Sequence, residues 1–121
     1  MLGAQQAVID AIKPGVPAAD LTRIAREYID SQGRDKDGKP LSKYLPHGVS
    51  HPVGLDVHDA NVRDAKLEAG MVVTVEPGLY IPAENIGIRI EDTVLVTETG
   101  AEILSGALPR SPDEVEKALA K

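Results

Sequence analysis

The chain has no cysteine, no phenylalanine and no tryptophan, and its aromatic share is 2%. Without cysteine there is neither a disulfide framework nor a thiolate site, which fits a reducing, cytoplasmic setting. Without Phe or Trp the core must be filled by Val, Ile, Leu and Ala, and 42% apolar content in 121 residues is enough for a single domain. Basic residues are also short, 13 against 19 acidic, for a formal charge of -6. That balance removes the electrostatic attraction that nucleic acid or anionic lipid would need. No apolar run approaches the roughly 20 residues needed to span a bilayer. Met1-Leu-Gly-Ala-Gln-Gln lacks the basic start and apolar stretch of a secretory signal. Neither a nucleic-acid partner nor a membrane partner is expected.

What is present begins with two helix patterns. Val8, Ile9 and Ile12 share one face of a predicted helix over residues 4–13, stopped by Pro14-Gly15. Leu21, Ile24, Ala25, Tyr28 and Ile29 recur at helical spacing and predict a second helix over 17–32, with Gly33 as its stop. The charged, breaker-rich run from Gly33 to Pro46 is expected to be an exposed loop without chemistry. From Gly48 the pattern turns strand-like. Residues 71–76 are β-branched and end at the turn signal Pro77-Gly78, and residues 86–96 alternate as one strand before a turn at 98–100. On such a strand Gly87, Arg89 and Glu91 share one face and Ile88 and Ile90 the other. Ser111-Pro112-Asp113-Glu114 reads as a capping box opening a short terminal helix striped by Val115, Ala118 and Leu119. Two helices, then strands, then a helix predict the α+β class.

The chemistry-bearing residues are concentrated. All three histidines fall in His47-Gly-Val-Ser-His51-Pro-Val-Gly-Leu-Asp-Val-His58, and Glu76 and Glu91 lie on the two predicted strands. One imidazole with two strand-borne carboxylates makes a mixed nitrogen and oxygen ligand set, suited to manganese, cobalt or zinc. The chain reads as part of a metal-dependent hydrolase. Each residue also has a plainer reading. A single histidine at 47, 51 or 58 can be an ordinary loop or core residue. The helical His-Glu-x-x-His zinc motif is absent, and Gly48 and Pro52 oppose a helix, so His51 would have to act from a strand or turn. Glu76 can be a solvated carboxylate at a strand end. Carried inward, it would need a metal or a cationic partner, because an unpaired buried carboxylate costs several kcal/mol or becomes protonated. Arg89 and Glu91 can be an exposed same-face pair, worth about 0–1 kcal/mol. Two other matches fail. Asp35-Lys-Asp37-Gly38 imitates a calcium loop but continues with Lys39, Pro40 and Pro46 at ligand and turn positions. Gly48-Val-Ser50-His-Pro52 lacks the final glycine of a serine-hydrolase elbow.

The segments HGVSHPVGLDVHDA, LEAGMVVTVEPGLYIP and IGIRIEDTVLVTETGAEILS, in that order and spacing, resemble the C-terminal half of the catalytic domain of Xaa-Pro aminopeptidase (aminopeptidase P) and prolidase. These are proline-directed pita-bread metallopeptidases, and the likeness to them exceeds that to methionine aminopeptidase. It covers nearly the whole chain. It implies a partial pita-bread (creatinase/aminopeptidase-like) fold with two N-terminal helices, a curved and mainly antiparallel sheet, and a short C-terminal helix. Carried over by residue, the resemblance implies that His51, Glu76 and Glu91 are metal ligands, with Glu91 bridging two ions and Glu76 also shuttling a proton. It implies that His47 and His58 line the substrate pocket and steady the scissile carbonyl and the tetrahedral intermediate, and that Arg89 orients the site from beside Glu91. The implied activity is hydrolysis of the N-terminal Xaa-Pro bond of a peptide with proline second, by a water that two divalent ions make acidic, manganese foremost.

Family members take two further aspartate ligands from a strand pair preceding the helix that matches Ala4 to Lys13, where this sequence begins. Asp10, Asp20, Asp30, Asp35 and Asp37 do not match those positions. The resemblance therefore implies a single domain over 1–121, the C-terminal half of a catalytic domain, without the family's first half and N-terminal domain. An incomplete metal site, inactive in isolation, is expected. Uncovered strand edges and an apolar face predict homo-oligomerisation, or complementation by the other half. A non-catalytic pita-bread module for peptide binding or scaffolding is the alternative, against which the three retained ligand positions count.

Overall fold

The computed structural model describes residues 1–59 and 65–120. Ala60, the last residue of the first quoted segment, lies outside them. Helix α1 spans Leu2–Ala11 and helix α2 spans Ala18–Ser31. The first begins and ends two residues before the predicted bounds. Ile12 is already extended, with ψ at 120°, because Pro14 has no N–H to give and disfavours helical backbone just ahead of it. The second falls one residue inside its expected bounds at each end, with Pro17 and Gln32 as its caps, and buries Leu21, Ala25 and Ile29.

The polar side of α2 captures the segment that follows it. Arg26 donates to the carbonyls of Ser42 and Leu45 at 3.0 and 2.7 Å, and Asp30 accepts from the Ser42 N–H and hydroxyl at 2.8 and 2.7 Å. The Ser42 N–H is the main reason the Asp30 carboxyl sits below its ordinary range. The expected loop is thus not featureless. It contains a 3-10 turn at Leu41–Tyr44 and delivers Leu45, fully buried, to the core.

Five strands follow: β1 (Val72–Val75), β2 (Gly78–Ile81), β3 (Ile86–Arg89), β4 (Asp92–Val96) and β5 (Ala101–Ile103). They form two antiparallel sheets among the described residues, ordered β1-β4-β5 and β2-β3. This corrects the expectation of one strand over 86–96: β3 pairs with β2, and β4 pairs with β1. It also corrects Pro77-Gly78, which does not reverse the chain but carries it from one sheet into the other. Pro77 has no N–H for a ladder, so β1 stops there. The register is nevertheless continuous. Val75 faces Asp92 on one side of the break and Gly78 faces Arg89 on the other, so one step beyond Val75 sets Glu76 across from Glu91.

The free edge of β1 is covered by residues 49–53, running antiparallel. The N–H groups of Val53, Thr74 and Glu76 donate to the carbonyls of Val72, His51 and Val49 at 3.0, 2.9 and 2.8 Å. The helices press Val8, Ile9, Leu21, Ala25 and Ile29 against Val73, Val75, Val94 and Val96. Each Val, Leu or Ile of this set, when fully buried, contributes about 1.5–3 kcal/mol, so the core needs no large aromatic. Gln5, buried with it, donates to the Val75 carbonyl at 3.2 Å and ties α1 to the end of β1.

The terminal helix α3, Pro112–Leu119, has the expected capping box: Ser111 Oγ accepts from the Glu114 N–H, and the Glu114 carboxylate accepts from the Ser111 N–H. Its apolar stripe is not buried, however. Val115 is 37% and Leu119 75% exposed, so α3 is held by its caps rather than by packing.

Asp35 organises the loop after α2. Its carboxylate pairs with Lys43 and accepts from the Lys39 and Asp37 N–H groups at 2.8 and 2.9 Å. These contacts, Lys43 foremost, lower its pKa from the ordinary 3.8 to about 2. A carboxyl with a depressed folded-state pKa stabilises the fold above its unfolded value, and that contribution is lost as pH falls towards the folded one. Asp35→Asn is expected to melt below the wild type at neutral pH, with the gap closing between pH 3.8 and about 2. Thermal unfolding followed by circular dichroism across that range checks this, and an unchanged gap at the acid end would contradict it.

Candidate metal centre

Alternation along β1 turns Val73 and Val75 towards the helices and Thr74 and the following Glu76 to the other face. Glu76 is only 8% exposed, so its solvated reading does not hold. The carboxylate is compensated instead. Oε2 accepts from Arg89 Nη1 at 3.2 Å, and Oε1 lies 3.1 Å from His51 Nε2. Arg89 is half exposed, and its bond to Glu76, then one to Tyr80, raises its pKa above the usual guanidinium value. Its ion pair is therefore with Glu76, although Glu91 is nearer in sequence.

His51 is oriented by its neighbour. Its Nδ1 lies 2.9 Å from the Pro52 carbonyl. A carbonyl only accepts, so Nδ1 carries the proton and, in the neutral ring, Nε2 presents its lone pair to Glu76 Oε1. Two acceptors facing each other at 3.1 Å are reconciled by a shared proton or by a metal. Glu91 adds a third donor. One ligand atom each from His51, Glu76 and Glu91 all lie within 4.8 Å of one another. Like charges directly opposite in a ladder repel, and here the two acids meet where the ladder is interrupted. A set of imidazole nitrogen and carboxylate oxygen without sulfur fits a hard or borderline divalent ion. The Nδ1–carbonyl bond is the outer contact that a metal-bound imidazole ordinarily makes.

These residues open onto a cavity of about 480 Å³ that Thr74, Arg89 and Thr93 also line. The exposed His58 lies against it, its ring edge-on to that of His51 at 4.6 Å. His47 borders an adjoining cavity of about 240 Å³ with His51, His58, Glu76 and Arg89. Its Nδ1 donates to the Gly48 carbonyl at 2.8 Å, and its Nε2 lies 3.3 Å from the Tyr80 hydroxyl. The six residues singled out in the sequence thus surround two neighbouring cavities. Tyr80 was not among them, because reading Pro77-Gly78 as a turn hid β2. The alternation of Gly-Leu-Tyr-Ile was the available signal. Gly78 makes the contact possible: a Cβ there would sit 2.7 Å from the Tyr80 hydroxyl and 2.9 Å from His47 Nε2.

Residues 1–98 match metallopeptidase family M24. A structure from Bacillus anthracis, provisionally described as aminopeptidase P, superposes with a TM-score of 0.85 at 46% identity, over 96% of this chain and 29% of that one. Prolidase from Pyrococcus furiosus superposes with a TM-score of 0.76 at 42% identity, over 90% of this chain and 31% of that one. An uncharacterised peptidase of Staphylococcus epidermidis is 43% identical over 109 residues, 87% of this chain and 29% of its own length. The chain therefore spans less than a third of the length of these relatives. With its helices and antiparallel sheets, the superposition makes this an α+β part of the pita-bread fold. Sequence and backbone agree, and the chain belongs to metallopeptidase family M24.

Proposed function

We propose that this chain carries the His-Glu-Glu part of a two-metal centre that hydrolyses the N-terminal bond of peptides with proline second. The observation that supports it most is the convergence of His51, Glu76 and Glu91 within 4.8 Å. Relatives described as aminopeptidase P and prolidase favour the proline-directed substrate. Bound divalent metal, manganese foremost, would supply Lewis acidity, making water a nucleophile and offsetting charge on the carbonyl oxygen. His51, Glu76 and Glu91 would hold it. Glu76 would also take and return a proton at its carboxylate, kept in place by Arg89 Nη1. His47 and His58 would border the peptide and steady the scissile carbonyl and the tetrahedral intermediate. The Xaa-Pro amide lacks an N–H, so recognition would fall on the carbonyl and the ring rather than on a donated hydrogen bond.

Two aspartates complete the ligand set in the family, as its resemblance to this sequence implies. We therefore take residues 1–121 as one domain, the second half of a catalytic domain, that binds metal weakly by itself and does not turn over. A cytoplasmic setting accords with the lack of cysteine. No helix among the described residues is long and apolar enough to cross a membrane.

Titration of the chain with MnCl2 by calorimetry is expected to show binding that His51→Ala, Glu76→Gln and Glu91→Gln each weaken by more than about tenfold. A wild-type chain with no bindable ion would refute the metal reading and favour a peptide-binding scaffold. Incubated with Mn2+ and an Xaa-Pro peptide, the 121-residue chain is expected to release no N-terminal residue. Release would refute its dependence on the two further aspartates. Ile86 and Ile88 on strand β3, with Leu55 and Val57, are exposed apolar surface, and among the described residues β3 pairs on one side only. Size-exclusion chromatography is expected to show self-association, and a stable monomer would count against it.

A further inference from the structure

We propose that Thr74 is a positioning residue for the metal centre, its hydroxyl coupling the backbone of His51 to the carboxylate of Glu76 so that the two are placed as one unit. The inference rests on the reading of His51 and Glu76 as ligands. In a regular antiparallel pair two residues exchange both N–H to carbonyl bonds. Thr74 and His51 exchange only one in that way: the Thr74 N–H donates to the His51 carbonyl at 2.9 Å. The return bond runs to the side chain, with the His51 N–H donating to Thr74 Oγ1 at 3.1 Å.

This substitution fixes the polarity of the hydroxyl. An amide N–H can only donate, so it occupies a lone pair of Oγ1. An ionised carboxylate can only accept, so the hydroxyl proton goes to Glu76 Oε1, 3.3 Å away. That oxygen is also the one facing His51 Nε2. Thr74 is 3% exposed, which shields both bonds from competing water, and its β-branch restricts the side-chain rotation that would break them. Main chain, hydroxyl and carboxylate form a chain of bonds that ends 3.1 Å from the imidazole of the same histidine. A valine at 74 would keep the branch and the burial but break this chain. Serine would keep the chain and lose only a methyl group.

The test compares Thr74→Val and Thr74→Ser in the whole chain by two measurements. Without metal, amide hydrogen exchange by NMR is expected to show the His51 N–H exchanging at least about tenfold faster in Thr74→Val, and near the wild-type rate in Thr74→Ser. With MnCl2, calorimetry is expected to show Thr74→Val weakened by about tenfold or more, the scale on which outer partners of metal ligands act, while Thr74→Ser stays within about threefold. Unchanged His51 exchange in the valine variant would overturn the proposal. So would faster exchange with undiminished Mn2+ affinity, which would leave the bond a purely structural one. If the wild type takes up no Mn2+, the ligand reading falls and the role towards a metal falls with it, whereas a valine effect confined to the variant separates the two. Should Thr74→Val not fold, Thr74→Ala against Thr74→Ser makes the same comparison.

Discussion

Burial of the Glu76 carboxylate constrains everything around it. Taking such a group out of water is expensive unless opposite charge and hydrogen bonds replace the lost hydration. Arg89 supplies the charge from the far side of the sheet break, and residues 49–53 supply the backbone that brings His51 alongside. The strand that carries the acid is in turn fixed on its other face by the aliphatic core and by Gln5 at the Val75 carbonyl. Helices α1 and α2 thus shape the site without touching it, by setting the depth at which β1 ends.

The break between the two sheets is the second organising feature. An uninterrupted hairpin from β1–β2 to β3–β4 would hold Glu76 and Glu91 in a regular ladder, with two carboxylates pressed together and nothing between them. Proline at 77 ends the ladder while the register on both sides is retained. The acids still face each other, now in a gap that opens onto a cavity. The fold keeps this repulsion with one guanidinium, that of Arg89, to offset it.

Much of this was legible in the sequence, and the misses have definite causes. The stripes of α2 and the capping box of α3 are local signals, and both elements stand where those signals place them. His51, Glu76 and Glu91 stood out because few residue types make a mixed nitrogen and oxygen donor set. Period-two alternation runs through residues 86–96 regardless of which sheet each residue joins, so the division into β3 and β4 had no local signature. Pro77-Gly78 is a turn signal in most contexts, and that hid β2 and Tyr80 with it. The stripe on α3 shows that one face is apolar, but periodicity carries no information on whether anything covers that face. Thr74 looked like an ordinary β-branched strand residue, since nothing in a sequence reveals a hydroxyl standing in for a carbonyl.

The bond from His51 Nδ1 to the Pro52 carbonyl joins adjacent residues, so the protonation pattern of the ring is dictated within a dipeptide rather than by distant parts of the molecule. An imidazole in water divides its time between two neutral forms and many orientations. Here that freedom is surrendered during folding, and an arriving ligand finds the nitrogen already aimed. Preorganisation of this kind shifts an entropic penalty from the moment of binding to the moment the chain collapses.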